Sequence, residues 1–312
     1  MSTQFIRACS LAVGPAAGGQ GLDLSNLRIR FRVTRADTQS PHHAEIRVYN
    51  LSDDTAKQLK ALQEYGQVVL QAGYPENMAQ IFTGQIRQVR RGRETPVLSF
   101  VDIIAADGDQ AYGFAVMNTS LAAGSTKQQQ LNSMLASAGG YGVVAGYTPP
   151  LAGGPLPRGK AMFGMTRDYL RDFGATQQAS WFVENGALNM VPVKATLPYP
   201  AIVLTAQTGM IGLPTQTIDG IQVRCLLNPQ IRIGGQVQID NKSIQEAMVS
   251  VDYTAINYFP SLDADGYYKV LSVNHVGDTR GQEWYSELIC QGVDGSASLS
   301  KNVLGIVPPP GP

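Results

Sequence analysis

Arginine occupies every second position in part of the segment "LRIRFRVTR", residues 27–35. Because side chains alternate between the two faces of a β-strand, Arg28, Arg30 and Arg32 share one face and the apolar residues between them share the other. Guanidinium groups bind phosphates and carboxylates. The row therefore suggests three roles: contact with a nucleic acid, ion pairs with acids on a neighbouring strand, or a surface where another chain docks.

A second basic cluster lies in the segment "IRQVRRGRE", residues 86–94. No helix carries either cluster and no aromatic residues alternate with the arginines, which argues against base readout and base stacking, although tolerance of passing DNA is compatible. One interpretation is a solvated sheet face on which the arginines pair with Glu45 and its neighbours. The other is an assembly interface or a channel lining, for which the candidates are Arg28, Arg30, Arg32, Arg87, Arg90, Arg91 and Arg93.

Other chemical patterns are incomplete. The segment "GPLPRGKA", residues 154–161, approaches the GxxxxGK[ST] phosphate-binding loop. Pro155 and Pro157 lack the N–H groups that would cradle phosphate, and Ala161 replaces the hydroxyl that would hold magnesium. This loop is therefore not expected to bind nucleotide.

The histidines and acids show no metal-ligand spacing. His42, His43 and His275 are interpreted as surface or strand-end residues. Asp263 and Asp265, in "LDADGYY", indicate a tight turn because the twelve-residue calcium loop is absent. No GxSxG segment supports a serine nucleophile, and carboxylates brought together from distant positions stay open. The sequence thus predicts no enzyme, with no catalytic, cofactor-binding or metal-binding residue.

Composition describes a globular chain with few charges. The 312 residues carry zero formal net charge and are 15% charged, against about 25% in an average domain. Basic residues outnumber acidic ones by three in residues 1–105 and by one in 106–195, whereas acidic residues are four in excess in 196–312. A basic end and an acidic end favour stacked or head-to-tail assembly.

The cysteines and the N-terminal segment concern the compartment. Cys9, Cys225 and Cys290 are odd in number and far apart, which is typical of buried or free thiols in a reducing compartment. The opening "MSTQFIRACSLAV" lacks the long apolar core of a signal peptide, and no stretch approaches the ~18 apolar residues of a membrane span. We expect no membrane insertion.

Residues 1–105 have the pattern of a strand-rich domain. "LRIRFRVTR" and "AEIRVYNL" alternate on either side of a turn-forming segment, which predicts an antiparallel pair. "NLSDDTAKQLKALQEYG" predicts a helix with Ser52 as N-cap and Gly66 at its end. Three further strand segments complete a small β-barrel with one helix crossing it.

Residues 106–195 predict a compact α+β domain. Two segments have helical spacing, and the first is capped by Ser125 or Thr126 and ends at Gly139 and Gly140. A Gly/Pro-rich loop separates them. The dipeptide at 185–186, Asn-Gly, predicts a hairpin turn.

Strand patterns return in residues 196–300, which predict a second β-barrel with no clear sequence repeat of the first. The predicted fold class is thus mainly β, with two β-barrel-like domains flanking a small α+β domain. Residues 301–312, which include "VPPPGP", predict an extended Pro-rich tail.

The order of these segments resembles the baseplate hub proteins of contractile-tailed bacteriophages, a group that includes late-control D proteins and the hub portion of type VI secretion spikes. The resemblance spans about residues 25–295 and is carried by phrases such as "NLRIRFRV", "AEIRVYNLSDDTAKQL" and "LNPQIRIGGQVQI". The segment "AGYPENMAQIFTGQI" is the most characteristic of them.

The resemblance implies a homotrimer in the tail baseplate of a virion, assembled in the cytoplasm of the bacterial host. Two related β-barrels per chain would form a pseudo-sixfold ring around a channel that DNA crosses in transit. One face of the ring would meet the hexameric tail tube protein and the other the trimeric central spike protein. Further implied partners are other baseplate proteins and the tape measure protein. The spike-fused members carry a lysozyme or needle domain that this sequence lacks.

Two other functions are compatible with the sequence. A tail-tip cell-wall hydrolase would place a pair of carboxylates in a cleft. A carbohydrate-binding surface protein would expose Trp181 and Trp284 as platforms, although packing in the core or at an edge suits both residues better.

Overall fold

One long, largely antiparallel sheet of 14 strands organises the protein in the computed structural model. The structure describes residues 6–16, 20–62, 65–217, 219–246, 262 and 265–293. The Pro-rich tail predicted for residues 301–312 lies outside them. None of the helices among the described residues is long and apolar enough to cross a membrane.

The first part of the chain contributes strands and one helix to this sheet. Their bounds are β1 Ala8–Gly14, β2 Leu22–Asp23, β3 Ile29–Ala36, β4 His43–Tyr49, α1 Asp53–Ala61, β5 Gln67–Tyr74, β6 Asn77–Thr95 and β7 Leu98–Ala106. The alternation predicted for β3 is confirmed, since Ile29, Phe31 and Val33 are buried whereas Arg30 and Arg32 are exposed. Inward side chains of β1 and β3 to β7 pack with α1 into a single hydrophobic cluster.

Helix α1 begins where the sequence predicts and ends earlier. The Ser52 hydroxyl accepts a hydrogen bond from the Thr55 amide at 3.1 Å, which satisfies one free N–H of the first turn. The predicted end at Gly66 is wrong, because the helix stops at Ala61. Tyr65 then adopts a left-handed φ of 69°, and the chain turns into β5.

The middle of the chain forms a separate α+β layer. Its elements are α2 Asp109–Phe114, β8 Val116–Leu121, α3 Lys127–Gly139, β9 Val144–Ala145, β10 Lys160–Met165, α4 Thr166–Thr176, β11 Ala179–Glu184 and β12 Ala187–Pro192. The predicted caps and hairpin are confirmed: Thr126 and Gln129 form a capping box on α3, and Asn185 and Gly186 make the turn with positive φ. The β8–β10 pair was not predicted.

The last part returns to the long sheet. Its strands are β13 Ile202–Leu204, β14 Met210–Thr217, β15 Gly220–Leu226, β16 Gln236–Ile239, β17 Gln245–Glu246, β18 Tyr267–Asp278 and β19 Trp284–Gly292. Strands β1 and β14 have no counterpart among the predicted strands. A second hydrophobic cluster fills this part and includes Phe182 and Val191 of the middle layer. The domain boundaries after residues 105 and 195, and closure into barrels, stay predictions.

Strand β18 joins the two β-rich parts. Its first residues pair with β16, and the residues from Ser272 to Asp278 pair antiparallel with β3 of the first part. The same strand pairs with β19 along its length, with a bulge between Val270 and Ser272. The edge strands of two sheets are thereby hydrogen-bonded into one.

The two β-rich parts repeat one strand order. Neighbouring strands follow β3-β4-β7-β6-β5-β1 in the first part and β14-β15-β19-β18-β16-β13 in the second. Without the short strands β2 and β17, each part has six strands. Numbered along the chain within its own part, the strands of both parts follow the same order in the sheet: second, third, sixth, fifth, fourth and first. Four of the five pairings also agree in direction, and only β16–β13 is parallel where β5–β1 is antiparallel.

The bulges correspond as well. Strand β6 has a bulge against β7 between Ile86 and Gln88, at the place where β18 has one between Val270 and Ser272. Beyond its bulge, β6 continues past the last residue that pairs with β5, and β18 continues past the last residue that pairs with β16. The repeat is therefore one of topology and register, which a comparison of residues does not reveal.

Substitution of Gly277 tests the packing between the two parts. A Cβ at this position in β18 would lie 2.4 Å from Cζ of the buried Phe31, whose ring packs edge-on against Trp284 with centroids 5.5 Å apart. Gly277→Ala should lower the free energy of unfolding by about 1–3 kcal/mol. Chemical denaturation measures the change.

Gly113→Ala is the matched control, because a Cβ there meets nothing within 4 Å and the residue lies in helix α2. This variant should be neutral or more stable by up to about 1 kcal/mol. Equal stabilities of the two variants would contradict the packing described for Gly277.

Candidate assembly surface

Four of the predicted arginines, Arg28, Arg30, Arg32 and Arg90, lie on the outer face of the long sheet, the face opposite the hydrophobic cluster. Arg91 and Arg93 lie on the other face of β6, since Arg91 is the cross-strand neighbour of the core residue Val101. Cross-strand neighbours on strands β18, β3, β4, β7 and β6 form a row that runs Asp278, Arg30, Arg47, Asp102 and Arg90. Arg30 and Arg47 are direct neighbours in this row. Each has an acid on its other side, Asp278 beside Arg30 and Asp102 beside Arg47. We call the outer face of these five strands the arginine face.

Asp102 is the main acid of the arginine face. Its carboxylate accepts hydrogen bonds from Arg47 Nε at 2.6 Å and Arg90 Nη2 at 2.5 Å. Burial would raise the pKa of Asp102, but the hydrogen bonds from Arg47 and then Arg90 outweigh it and hold the pKa below its ordinary value. Asp102 therefore stays ionised and fixes two arginines.

Arg28, which directly precedes β3, and Arg30 of β3 have acidic partners from the end of β18 and the loop after it. Arg28 makes a bidentate ion pair with Asp278, with Nη2–Oδ2 at 2.7 Å and Nε–Oδ1 at 3.2 Å. Arg30 pairs with Glu283 at 3.0 Å. Glu45 was expected to be a partner and is the cross-strand neighbour of Arg32, yet it makes no ion pair within the described residues.

The arginines of β6 are mostly paired as well. Arg87 lies 3.2 Å from Asp109, and Arg91 forms an ion pair with Asp53. Among the residues the structure covers, Arg32 and Arg93 make no ion pair, and both are exposed. The seven candidates are thus divided between the two faces of the sheet and do not form an unbroken cationic patch.

Acids balance arginines across this face. Five arginines, at positions 28, 30, 32, 47 and 90, stand among five acids at positions 45, 94, 102, 278 and 283. Phosphate binding depends on uncompensated positive charge. The arginine face therefore lacks the electrostatic profile of a tight nucleic-acid site.

The face is concave and continues across both β-rich parts. A hollow of about 500 Å³ lies over strands β3, β4, β7 and β6, and a second of about 470 Å³ lies over β14, β15, β19 and β18. One cross-strand row links them through Ile211, Arg224, Glu287, Asn274 and Thr34. Two similar hollows thus stand side by side on one surface.

A buried polar junction, which the sequence did not predict, fixes the middle layer to the sheet. Arg35 of β3 forms an ion pair with Glu184 of β11 at 2.5 Å, and both side chains are buried. Arg35 also donates to the Ile81 carbonyl. Burial lowers the pKa of Arg35, and the Glu184 charge partly restores it. Arg35 lies two residues after Val33 and therefore on the inward face of β3. This spacing was the one feature of the sequence that could have indicated a buried arginine.

Two acids extend the junction along the β11–β12 hairpin. Asp37 accepts from Ser180 Oγ at 2.7 Å, and Asp107 accepts from the Gly186 amide at 3.0 Å and from the Asn185 amide. Burial raises the pKa of Asp107 to about 7, against the lowering effect of these two amides. The hairpin is therefore held to the first β-rich part by three side chains.

Lys269 ties the same hairpin to the second β-rich part. Its Nζ donates to the Pro192 carbonyl at 2.8 Å. Burial lowers the pKa of Lys269, and the charge of Asp37 opposes that effect. One hairpin of the middle layer thus contacts both β-rich parts through buried polar groups.

The prediction that the histidines lie at the surface or at strand ends is wrong for His275, whereas His42 directly precedes β4 but is not at the surface. His42 and His275 are buried, and burial lowers the pKa of each to about 3, so both are neutral at physiological pH. His275 lies in mid-strand, where Nδ1 is 2.8 Å from Ser286 Oγ. His43 is exposed at the start of β4, as expected.

The remaining candidates for chemistry are structural. Trp181 and Trp284 are each only 4% exposed, which removes them as carbohydrate platforms. Cys225 and Cys290 are buried free thiols. Asp265 accepts from the Tyr267 amide at 3.1 Å, as in a tight turn, whereas Asp263 lies outside the described residues.

The phosphate-loop resemblance also fails in three dimensions. Residues 154–159 form an exposed loop, and the chain continues into strand β10 instead of the helix whose N-terminus would face phosphate. A small pocket between the middle layer and the segment around Ser40, about 30 Å³, has room for a water molecule or two. Within the described part of the chain, no three His, Cys, Asp or Glu side chains gather as metal ligands.

Solved structures of tail proteins share this fold. The 43 kDa tail protein of prophage MuSo2 from Shewanella oneidensis superimposes with a TM-score of 0.61 at 9% identity, over 94% of this chain and 99% of that one. A tail protein from Neisseria meningitidis MC58 gives 0.58 at 10% identity, over 94% and 99%. No protein-family model and no curated protein sequence matches this chain.

A type VI secretion component has the fold as well. The c3393 protein of E. coli, described as structurally similar to the T4 bacteriophage tail proteins gp27 and gp5, gives a TM-score of 0.52 at 8% identity, over 87% of this chain and 75% of that one. The mainly β fold of this chain is thus a fold of phage tail and type VI secretion proteins.

Substitution of Arg35 tests the buried junction. Arg35→Met leaves Glu184 buried without its cation and should cost about 3–5 kcal/mol of unfolding free energy. The double variant Arg35→Met with Glu184→Leu should recover most of that loss. Arg30→Met, which breaks an exposed pair, should cost under about 1 kcal/mol. Similar losses for Arg35→Met and Arg30→Met in urea denaturation would contradict the assignment.

Asp107 should make stability depend on pH. Its folded-state pKa of about 7 lies above the ordinary 3.8, so unfolding releases a proton between these values. The stability from this group is complete below about pH 4 and is lost as the pH rises through 7. Asp107→Asn has no such proton. Between about pH 4.5 and 7.5, its unfolding free energy should therefore rise relative to that of the unmodified protein. A constant difference would contradict the shift.

Proposed function

We propose that this chain is a structural, non-enzymatic component of a phage-type tail, and specifically its baseplate hub. Three copies form a pseudo-sixfold ring that joins the hexameric tail tube to the trimeric central spike and leaves a channel for DNA. The shared fold with tail proteins of low sequence identity supports the tail assignment. The repeated strand order supports the hub assignment.

The repeat is the observation that carries the proposal. Each chain has two β-rich parts with the same strand order, and their edges are joined by β18 and β3. Three copies therefore present six similar parts, which is what a contact with a sixfold tube requires. The same ring keeps true threefold symmetry toward a trimeric spike.

The concave outer face supports a channel. Two neighbouring hollows on one surface curve in the same sense, and six of them around an axis would enclose a hole. The arginine face would then line the channel or an interface within the ring. Its charge balance suits DNA in transit, because passage requires contact without retention.

The proposed partners follow from this position. Besides two further copies of itself, the chain would contact the tail tube protein, the central spike protein, other baseplate proteins and the tape measure protein. The proposed location is the baseplate of a virion, after assembly in the bacterial cytoplasm.

Mass measurement tests the proposal directly. Native mass spectrometry of the full chain should show a particle of three 33.5 kDa subunits, and negative-stain averages should show a ring with a central hole. The trimer should bind tail tube protein at one end. A stable monomer at all concentrations, or a trimer without a hole, would overturn the proposal.

A further inference from the structure

The repeat leaves one strand edge unexplained. Beyond its bulge, β18 continues from Ser272 and pairs with β3 on the side away from β19. Strand β6 also continues beyond its bulge, from Gln88 to Thr95, and pairs there with β7. Within the part of the chain that the structure describes, the other edge of this extension pairs with no strand. We call residues 88–95 the β6 extension.

The counterpart of β3 in the second part is β14. The pair Thr215 and Gln222 occupies the place of Arg32 and Glu45, because both pairs lie at the same step of the matching ladders. The outer edge of β14 carries β17, whose two residues pair in parallel with positions 215 and 216. Within the described residues, this parallel pairing therefore contributes few ladder hydrogen bonds.

We propose that the β6 extension of one copy pairs antiparallel with β14 of a second copy, in place of β17. This pairing would repeat between chains the β18–β3 pairing within each chain. The inference rests on the proposed ring, and names the contact that closes it. In a trimer, three such contacts between chains alternate with the three β18–β3 pairings within chains. Each of the six β-rich parts is then paired with its neighbour on either side in the same way.

The internal junction also fixes the register. Gly92 corresponds to Val276, and Val276 is paired with Arg32, the counterpart of Thr215. Gly92 of one copy therefore lies opposite Thr215 of the next. The antiparallel direction then places Arg91 opposite Gln216 and Arg90 opposite Thr217.

The two edges lie in parts of the chain with opposite excess charge. The β6 extension contains three arginines within a part of the chain that has three excess basic residues, whereas residues 196–312 have four excess acids. Asp219 follows β14 in the turn, and its Oδ1 is enclosed with no hydrogen-bond partner among the described residues. On β14 itself, the side chains of Ile211 and Leu213 are 40% and 56% exposed.

An exposed strand edge needs a partner or a device that blocks pairing. Charged side chains on the β6 extension discourage random edge pairing, while a matched edge on another copy can still accept the strand. The extension offers an antiparallel ladder longer than the contact that the described residues of β17 make. Assembly would therefore exchange a short pairing for a longer one.

Disulfide trapping tests the register. A chain with Arg90→Cys and Thr217→Cys, oxidised with copper phenanthroline, should give covalent trimers on a non-reducing gel. The native thiols should stay silent, because burial raises the pKa of Cys9 and Cys225 to about 12 and also raises that of Cys290. A second pair, Arg91→Cys with Gln216→Cys, covers the neighbouring step of the ladder.

Arg90→Cys with Ile211→Cys is the matched control, since Ile211 lies six residues, or four ladder steps, from Thr217, the residue opposite Arg90 in the proposed register. Its covalent yield should be at least tenfold lower. A native trimer that neither in-register pair cross-links, or that the control cross-links as well, would overturn the strand exchange and leave the ring intact. A monomeric unmodified chain would overturn both the ring and the exchange.

Discussion

The pairing of β18 with β3 is the constraint on which the architecture depends. Seven consecutive residues of β18, from Ser272 to Asp278, pair with seven consecutive residues of β3. The pairing of one residue determines the pairing of the residue after it. An antiparallel ladder of this length has one register, because a shift by one residue would turn Arg30 and Arg32 inward and Phe31 outward. The angle and distance between the two β-rich parts are therefore set by backbone geometry. Ion pairs such as that of Arg28 with Asp278 reinforce the junction from outside.

The buried polar junction complements this ladder from the other side of the sheet. Arg35, Asp37 and Asp107 hold the β11–β12 hairpin to the first part, and Lys269 holds it to the second. Buried charges contribute little net stability after desolvation, but a wrong arrangement leaves them unpaired at a cost of several kcal/mol. The junction therefore acts chiefly by excluding other placements of the middle layer. Hydrophobic contacts of Phe182 with the second cluster stabilise the middle layer against the sheet, and the buried polar groups determine where the layer lies.

Local features of the fold were predictable from local physics. Alternation identified β3 and β4, the Ser52 and Thr126 caps placed two helix starts, and Asn-Gly at 185–186 placed a hairpin. The order of segments pointed to tail proteins, and solved tail proteins share the fold. Of the candidate site, the sequence located the arginines on one strand face but not the acids that pair with them.

The missing information is long-range. Arg28 and Asp278 are 250 positions apart, and Arg35 and Glu184 are 149 apart, so no window of sequence contains both partners. Burial of His275 in mid-strand depends on β3 covering one edge of β18, which is a property of the junction. The strand-order repeat is hidden for a related reason. Strand order depends on which backbones pair, and many different side chains are compatible with one pairing.

The repeat also has a genetic consequence. In a ring built from six copies of one small protein, any substitution appears six times, so a surface cannot be improved for one neighbour without changing every other site. In this protein the two β-rich parts are different segments of one sequence, so each can change without the other. Arg32 and its counterpart Thr215 already differ in charge although they hold equivalent ladder positions. In the proposed ring, a mutation would therefore alter only alternate positions around the axis, and selection could adjust one half for one binding partner while the other half keeps its shape.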